Sequence, residues 1–394
     1  MAYMNEYETK KGKFYKITVS AGINPATGKQ RQITRRGFKT KKEAKAAINQ
    51  IEYELGLGTF VHQANIKFED FAEEWFKTYK LSVKPSTIRT RSLILQQVNE
   101  VFGKAKIKDI TRRNYQMFIN ELNDAGYKKN SVSQRHAVCR MIFKKAKQMK
   151  IINEDPTENV TLPKEKFTVE DLESKAESVN YLEKEELAVY LKTAKEHGLE
   201  SDYEINTFQA YTGMRSGEVC ALKWSDIDFE EKTIRITKTL YCDNNLNNYE
   251  IITPKTKSSI RTIEVDEFII DMLLEYRRQQ NVLKMKYRNE YRDEGFVFAN
   301  ANDYKGYPRL TQNMLWRMGR LLKLAGMDKG IKPHSLRHTH TSLLAEAGVS
   351  LPEIQERLGH KDDEITTSVY LHTTKSARNK SAEKFSDLMK SVRN

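Results

Sequence analysis

The sequence predicts a multidomain α+β protein. It should hold a small N-terminal β-sheet plus helix, an all-helical domain, and a mainly helical domain with a small antiparallel sheet. Three observations predict this. The chain has 394 residues, more than one ordinary core accommodates, so two or three domains are expected. Its hydrophobic period changes along the chain: alternating at the front, helical through residues 65–162, mixed from 181 to 394. Residues 163–180, PKEKFTVEDLESKAESVN, are charge-rich without apolar periodicity and read as a linker.

Residues 1–60 read as a hairpin, a further strand and a helix. FYKITVSAG and RQITRRGF are strand-like and flank the turn NPATGK, and YMNEYET supplies another strand. Thr40 to Glu43 has the capping-box pattern and opens a helix with Ala44, Ala47, Ile48, Ile51 and Leu55 on one face, ending near Gly56. This segment carries twelve Lys and Arg against five Asp and Glu, half of the chain's net charge of +14. Lys13, Lys16, Lys29, Arg31, Arg35 and Arg36 concentrate on its strands and turn. A basic ribbon of this kind can enter a DNA major groove.

Residues 65–162 read as four helices. Phe68, Phe71, Ala72, Trp75 and Tyr79 keep helical spacing and are expected in the core. Pro85 starts the second helix and Gly103 stops it, and Thr111 caps a third that stops at Gly126. The fourth carries Val138, Ile142 and Ala146. Basic residues lie between the apolar stripes, among them Arg89, Arg91, Arg135 and Arg140, a surface suited to phosphates.

From Tyr181 onward, EKEELAVYLKTAKEHG is an amphipathic helix and further helices flank Tyr211-Thr212-Gly213. TIRIT, YEIIT and IRTIEV are strand-like and form the small sheet, and the remainder is mostly helical.

Charge and composition narrow the function. A net +14 and pI of 9.3 point to a polyanionic partner, nucleic acid before an anionic membrane surface. No apolar run reaches the ~20 residues of a membrane span. MAYMNEYETKKGK has no apolar signal core, so the chain is expected in the cytoplasm. Cys139, Cys220 and Cys242 make neither a disulfide framework nor a metal pair.

Four pieces of the C-terminal segment carry reactive groups. YTGMRSGEVCALKWSDID holds Arg215 just after Gly213. TPKTKSSIRTI holds Lys255 and Lys257 in a turn between strands. HSLRH sets His334 and Arg337 three apart on one helical face. LGHKDDEITTSVYLH sets His360 after a glycine and Tyr370 beyond it. A zinc site from His334, His338, His340 and His372 is the weaker reading, because no Cys or carboxylate falls at ligand spacing.

TGMRxGE, KTK, HxLRH, LGH and YxH, in this order, resemble the boxes of the tyrosine recombinases, the lambda-type integrase family. The likeness covers the whole chain and is nearest to integrases of Gram-positive conjugative transposons and temperate phages. It implies an arm-type DNA-binding domain over 1–60, a core-binding domain over 65–162 and a catalytic domain over 181–394. Arg215 and Arg337 would bind the scissile phosphate, Tyr370 would attack it, and Lys255 would protonate the leaving oxygen, with Lys257 the alternative acid. His334 would accept the tyrosine proton, His360 would bond the phosphate, and Glu218 would orient the site. The implied reaction cuts and rejoins DNA through a 3′-phosphotyrosine and a Holliday junction, and it integrates and excises a mobile element. No cofactor or metal is implied. The implied partners are double-stranded DNA at arm and core sites, a homotetramer on that DNA, an excisionase and a host DNA-bending protein. A type IB topoisomerase and a non-catalytic DNA-binding regulator are the rivals. The basic front module argues against the first and the intact residue set against the second.

Overall fold

The computed structural model describes residues 2–9, 12–23, 30–56, 65–164, 181–243, 246–254, 256–327, 329–359, 364–371 and 389. The chain divides into two compact units, residues 1–166 and 167–394. The stretch read as a linker lies, from residue 165 to 180, outside the described residues.

The first unit holds two separate cores. Strands β1 (Ala2–Thr9), β2 (Gly12–Ile23) and β3 (Gln30–Phe38) form an antiparallel sheet in that order. Helix α1 (Lys41–Gly56) covers one face, where Ile17, Val19 and Ile33 are buried with Ala44 and Ile51. Thr40 accepts from the Glu43 amide at 3.2 Å, as the capping pattern requires. The Glu43 carboxylate returns to the amide of Lys39, one residue before the cap.

The second core belongs to α2 (Phe68–Tyr79), α3 (Pro85–Phe102), α4 (Arg112–Asp124) and α5 (Lys129–Gln148). Phe68, Phe71, Val98, Tyr115, Ile142 and Phe143 fill it. Each buried side chain of this size contributes about 1.5–3 kcal/mol, so packing outweighs intrinsic helix propensity here. Thr111 and Asn114 cap α4 reciprocally. Gln116 bonds the amide and carbonyl of Thr161 and ties the following segment back to α4.

The second unit begins with α6 (Lys184–His197), α7 (Asp202–Thr212) and α8 (Ser216–Ala221). Five short strands follow: β4 (Ile227–Asp228), β5 (Thr233–Ile236), β6 (Thr239–Tyr241), β7 (Glu250–Ile252) and β8 (Arg261–Glu264). Helices α9 (Glu267–Lys286), α10 (Thr311–Leu324), α11 (Pro333–Glu346), α12 (Leu351–Leu358) and α13 (Glu364–Leu371) complete it. Helix α11 packs on α7, α12 and α13, and α12 packs on β8. No helix among the described residues is long and apolar enough to cross a membrane.

The strands differ from expectation in one respect. They form two sheets, β4-β5-β8 and β6-β7. Strand β6, three residues long and hidden in a loop-like stretch of sequence, takes the edge of β7 through Leu240 opposite Ile251. Strand β8 pairs with β5 instead. The lysine-bearing segment 253–260 therefore crosses from one sheet to the other rather than closing a hairpin.

Candidate active site

Helix α7 ends at Gly213, whose φ of +62° is a left-handed conformation that favours glycine. The chain turns and Arg215 caps the next helix, α8. Glu218, one turn into α8, is 2% exposed. Its carboxylate accepts from the Arg215 amide at 3.1 Å and from Arg215 Nη1 at 2.8 Å. The Arg215 side chain remains 32% exposed, so its guanidinium is fixed from behind with an edge open to solvent.

Arg261 of β8 holds the other side of Glu218, with Nη2 to Oε2 at 3.0 Å and Nη1 to Oε1 at 3.3 Å. Burial opposes the Glu218 charge, but the guanidinium of Arg261, and then that of Arg215, outweighs it and holds the pKa below the ordinary carboxylate value. The carboxylate stays ionised and the two arginines share it. Sequence reasoning missed Arg261. A signal was present: in IRTIEV, Arg261 has the same parity as Ile263 and Val265, both buried. A charge on the inward face of a strand needs a partner.

Arg337 lies in the middle of α11 and is 1% exposed. Nη1 donates to the Gly213 carbonyl and Nη2 to the Leu358 carbonyl, each at 2.7 Å. One turn later His340 is also buried. Its Nδ1 bonds the Ala210 carbonyl at 2.9 Å, and its Nε2 accepts from Arg357 Nε at 3.1 Å. Burial, then the Arg357 charge, pushes its pKa down to about 3, so the imidazole is neutral and structural.

The LGH piece reaches the lysine segment through glycine. Gly359 ends α12 at φ +71°, and an added Cβ would stand 2.7 Å from the Ser258 carbonyl. Residues Lys257–Ser259 form a single 3-10 turn. Lys255, His360 and the Lys257 side chain lie outside the described residues. His334 is exposed at the start of α11, with its ring 5.0 Å from that of His338. Tyr370 is half-buried on α13, which packs against α11. Arg215, Glu218 and Arg337 are thus brought to one turn, with the helix of Tyr370 against the helix of Arg337.

In the first unit, Lys16 faces Arg36 across β2 and β3. Because strand faces alternate, they lie on the face opposite Ile17 and Val19. Arg35 is exposed, and Lys13 pairs with Glu6 at 3.3 Å. Lys29 and the Arg31 side chain lie outside the described residues. In the helical part, Arg140 is exposed and Arg89 half-buried. Arg91 bonds the Gln134 carbonyl at 3.3 Å. Arg135 is buried, bonded to Gln97 Oε1 at 2.6 Å and the Ser131 carbonyl at 2.9 Å, and it stacks on Tyr127.

Comparison with known proteins gives the family and the fold. Residues 180–377 match the phage integrase family, 67–123 the phage integrase N-terminal SAM-like domain, and 5–55 an arm DNA-binding domain. The chain belongs to the phage integrase family. The integrase is 32% identical over 321 residues to the prophage ps2 probable integrase of Lactococcus lactis subsp. lactis (strain IL1403), covering 80% of this chain and 81% of that protein. Its fold is similar to that of the Tn1549 transposon integrase in complex with a circular intermediate DNA. That match has TM-score 0.59 and 20% identity, covering 81% of this chain and 99% of that one. It is also similar to a lambda integrase tetramer bound to a Holliday junction, with TM-score 0.53 and 17% identity, covering 91% and 96% of the two chains. The integrase is a tyrosine recombinase, an enzyme that cleaves DNA strands and transfers them in site-specific recombination.

Proposed function

We propose that Tyr370 is the nucleophile of this integrase and that Arg215 and Arg337 bind the scissile phosphate. The observation that carries this reading is the bond from Arg337 to the Gly213 carbonyl, two residues before Arg215. It sets two guanidinium groups beside one turn. Preorganised cations of this kind stabilise the charge that grows on phosphorus in the transition state.

The Tyr370 oxygen attacks phosphorus, the 5′-oxygen leaves, and a 3′-phosphotyrosine keeps the energy of the broken ester. His334 takes the tyrosine proton. Lys255, or Lys257 in its place, gives a proton to the leaving oxygen, and His360 bonds a phosphate oxygen. A 5′-hydroxyl of another strand then attacks the phosphotyrosine and releases Tyr370. Glu218 acts indirectly, by orienting Arg215.

Residues 1–60 bind arm sites through Lys13, Lys16, Lys29, Arg31, Arg35 and Arg36. The match of residues 5–55 to an arm DNA-binding domain supports this role. Residues 65–162 bind core sites, with Arg89, Arg91 and Arg140 contacting phosphates and Arg135 bracing the helices, and residues 181–394 carry the cleavage chemistry. The active assembly is a homotetramer on DNA in the bacterial cytoplasm, at the nucleoid. An excisionase and a host DNA-bending protein set its direction.

A nicked duplex of the attachment site tests the proposal. Cleavage next to the nick releases a short strand that diffuses away, so wild-type protein accumulates as a covalent adduct. Tyr370→Phe should bind the duplex and form none. An adduct with Tyr370→Phe sinks the assignment of the nucleophile.

A further inference from the structure

Arg261 stands near the end of TPKTKSSIRTI, the piece that carries the lysines, and its guanidinium reaches the first piece at Glu218, its own piece at Ser259, and the end of α12 at Arg357. Nη1 and Nη2 hold the two oxygens of Glu218, and with it the start of α8. Nη1 also donates to the Ser259 carbonyl at 3.1 Å, in the turn that follows the lysines. Nε donates to the Arg357 carbonyl at 2.8 Å, at the end of α12 just before Gly359. The side chain is 6% exposed, so these contacts are dry and directional.

We propose that Arg261 is a positioning residue for DNA cleavage, acting through Glu218 on Arg215. The proposal rests on Arg215 being a phosphate ligand. The number of donors available to Glu218 decides where the Arg215 guanidinium points. A buried carboxylate must be satisfied. With Arg261 on one flank, Glu218 takes a single side-chain bond from Arg215 and leaves that guanidinium an open edge. Without Arg261, Glu218 would draw the Arg215 fork inward, and the phosphate would lose it. The bonds to Ser259 and Arg357 fix the same guanidinium against the lysine segment and α12, so Arg215 is placed in register with both. A lysine at 261 would keep the charge but could not reach three acceptors at once.

The test uses full-length wild type, Arg261→Lys and Arg261→Gln on the nicked duplex. Adduct rate in single turnover, DNA affinity and melting temperature are read for each. A second duplex carries a methylphosphonate at the scissile position, which has no negative charge for Arg215 to neutralise. Both variants should bind within about twofold of wild type and cleave about 100-fold more slowly, the loss expected when a reacting group is misplaced. On the methylphosphonate the deficit should shrink below about tenfold, because the misplaced cation no longer matters there. Equal deficits on the two duplexes, which general loosening of the fold would produce, overturn the proposal. Cleavage within about threefold of wild type overturns it as well. If Arg261→Gln melts too low to assay, Arg261→Lys carries the comparison. Wild-type protein separates the two readings. No wild-type adduct sinks the phosphate-site assignment and this inference together, whereas a wild-type adduct with undiminished variants sinks Arg261 alone.

Discussion

Arg337 donates to the carbonyl of Gly213 at 2.7 Å, which ties the middle of α11 to the turn that launches Arg215. Its second nitrogen does the same for Leu358 at the end of α12. Arg337 therefore has a structural duty before it has a chemical one. Loss of activity on removing it mixes the two.

Arg337→Ala leaves two buried carbonyls to find new partners. Each unsatisfied group costs about 1–3 kcal/mol, so a stability loss of several kcal/mol is expected beside loss of the adduct. Urea unfolding followed by circular dichroism measures the first and the nicked duplex the second. An unchanged unfolding midpoint would contradict the role of the carbonyl bonds.

Gly213→Ala should be costly for two reasons. The added Cβ would lie 2.6 Å from His340 Cδ2 and 2.9 Å from Leu358 Cδ2, and φ stays at +62°. Overpacking and a left-handed alanine together predict about 2–4 kcal/mol of destabilisation. Differential scanning calorimetry should show a markedly lower transition, with adduct formation lost in parallel.

Gly359→Ala shares the left-handed strain, at φ +71°, but its Cβ would press on the main chain of Ser258 and Ser259. The displaced segment carries the lysines. Cleavage should fall by about tenfold or more while DNA affinity holds, since small misplacements of reacting groups are expensive. Parallel binding and single-turnover assays decide it.

His340 predicts a pH window. Its folded pKa of about 3 lies below the unfolded value of 6.5. The unfolded chain thus binds the proton first as pH falls, and stability is lost from about pH 6.5 downward at up to about 1.4 kcal/mol per pH unit. His340→Gln has no such proton. The stability gap between wild type and His340→Gln should narrow between pH 7 and pH 5, and a constant gap would show that the imidazole is not held neutral.

Two lysines compete for one role. Lys255→Ala should slow cleavage by about 100-fold or more on ordinary DNA and recover on a duplex whose leaving atom is sulfur, which departs without a proton. Lys257→Ala should behave nearly as wild type. Rescue of Lys257→Ala instead would reverse the assignment.

The helices were legible because their signals are local. Pro85, Thr111 and Gly103 mark helix boundaries within one turn of where they fall, and the Phe68–Tyr79 stripe packs as its spacing indicates. What stayed hidden depends on distant partners. Strand β6 is too short to show a period, so the separation into two sheets could not be read. Arg135 reads as one more surface cation until Gln97, on another helix, is found bonded to it. The acceptors of Arg261 and Arg337 include main-chain carbonyls of Gly213, Arg357, Leu358 and Ser259, which leave no trace in residue identity.

The same asymmetry bears on exchanging fragments between relatives. Any residue supplies a carbonyl, so the receiving positions can change side chain as long as the backbone path is kept. The donors Arg261, Arg337 and His340 have no such freedom. A graft of the lysine segment from another integrase should thus be tolerated when its length from Thr253 to Arg261 is preserved, however different its composition. One inserted residue should do more harm than several substitutions, because it moves Ser259 off a guanidinium already committed on two other sides.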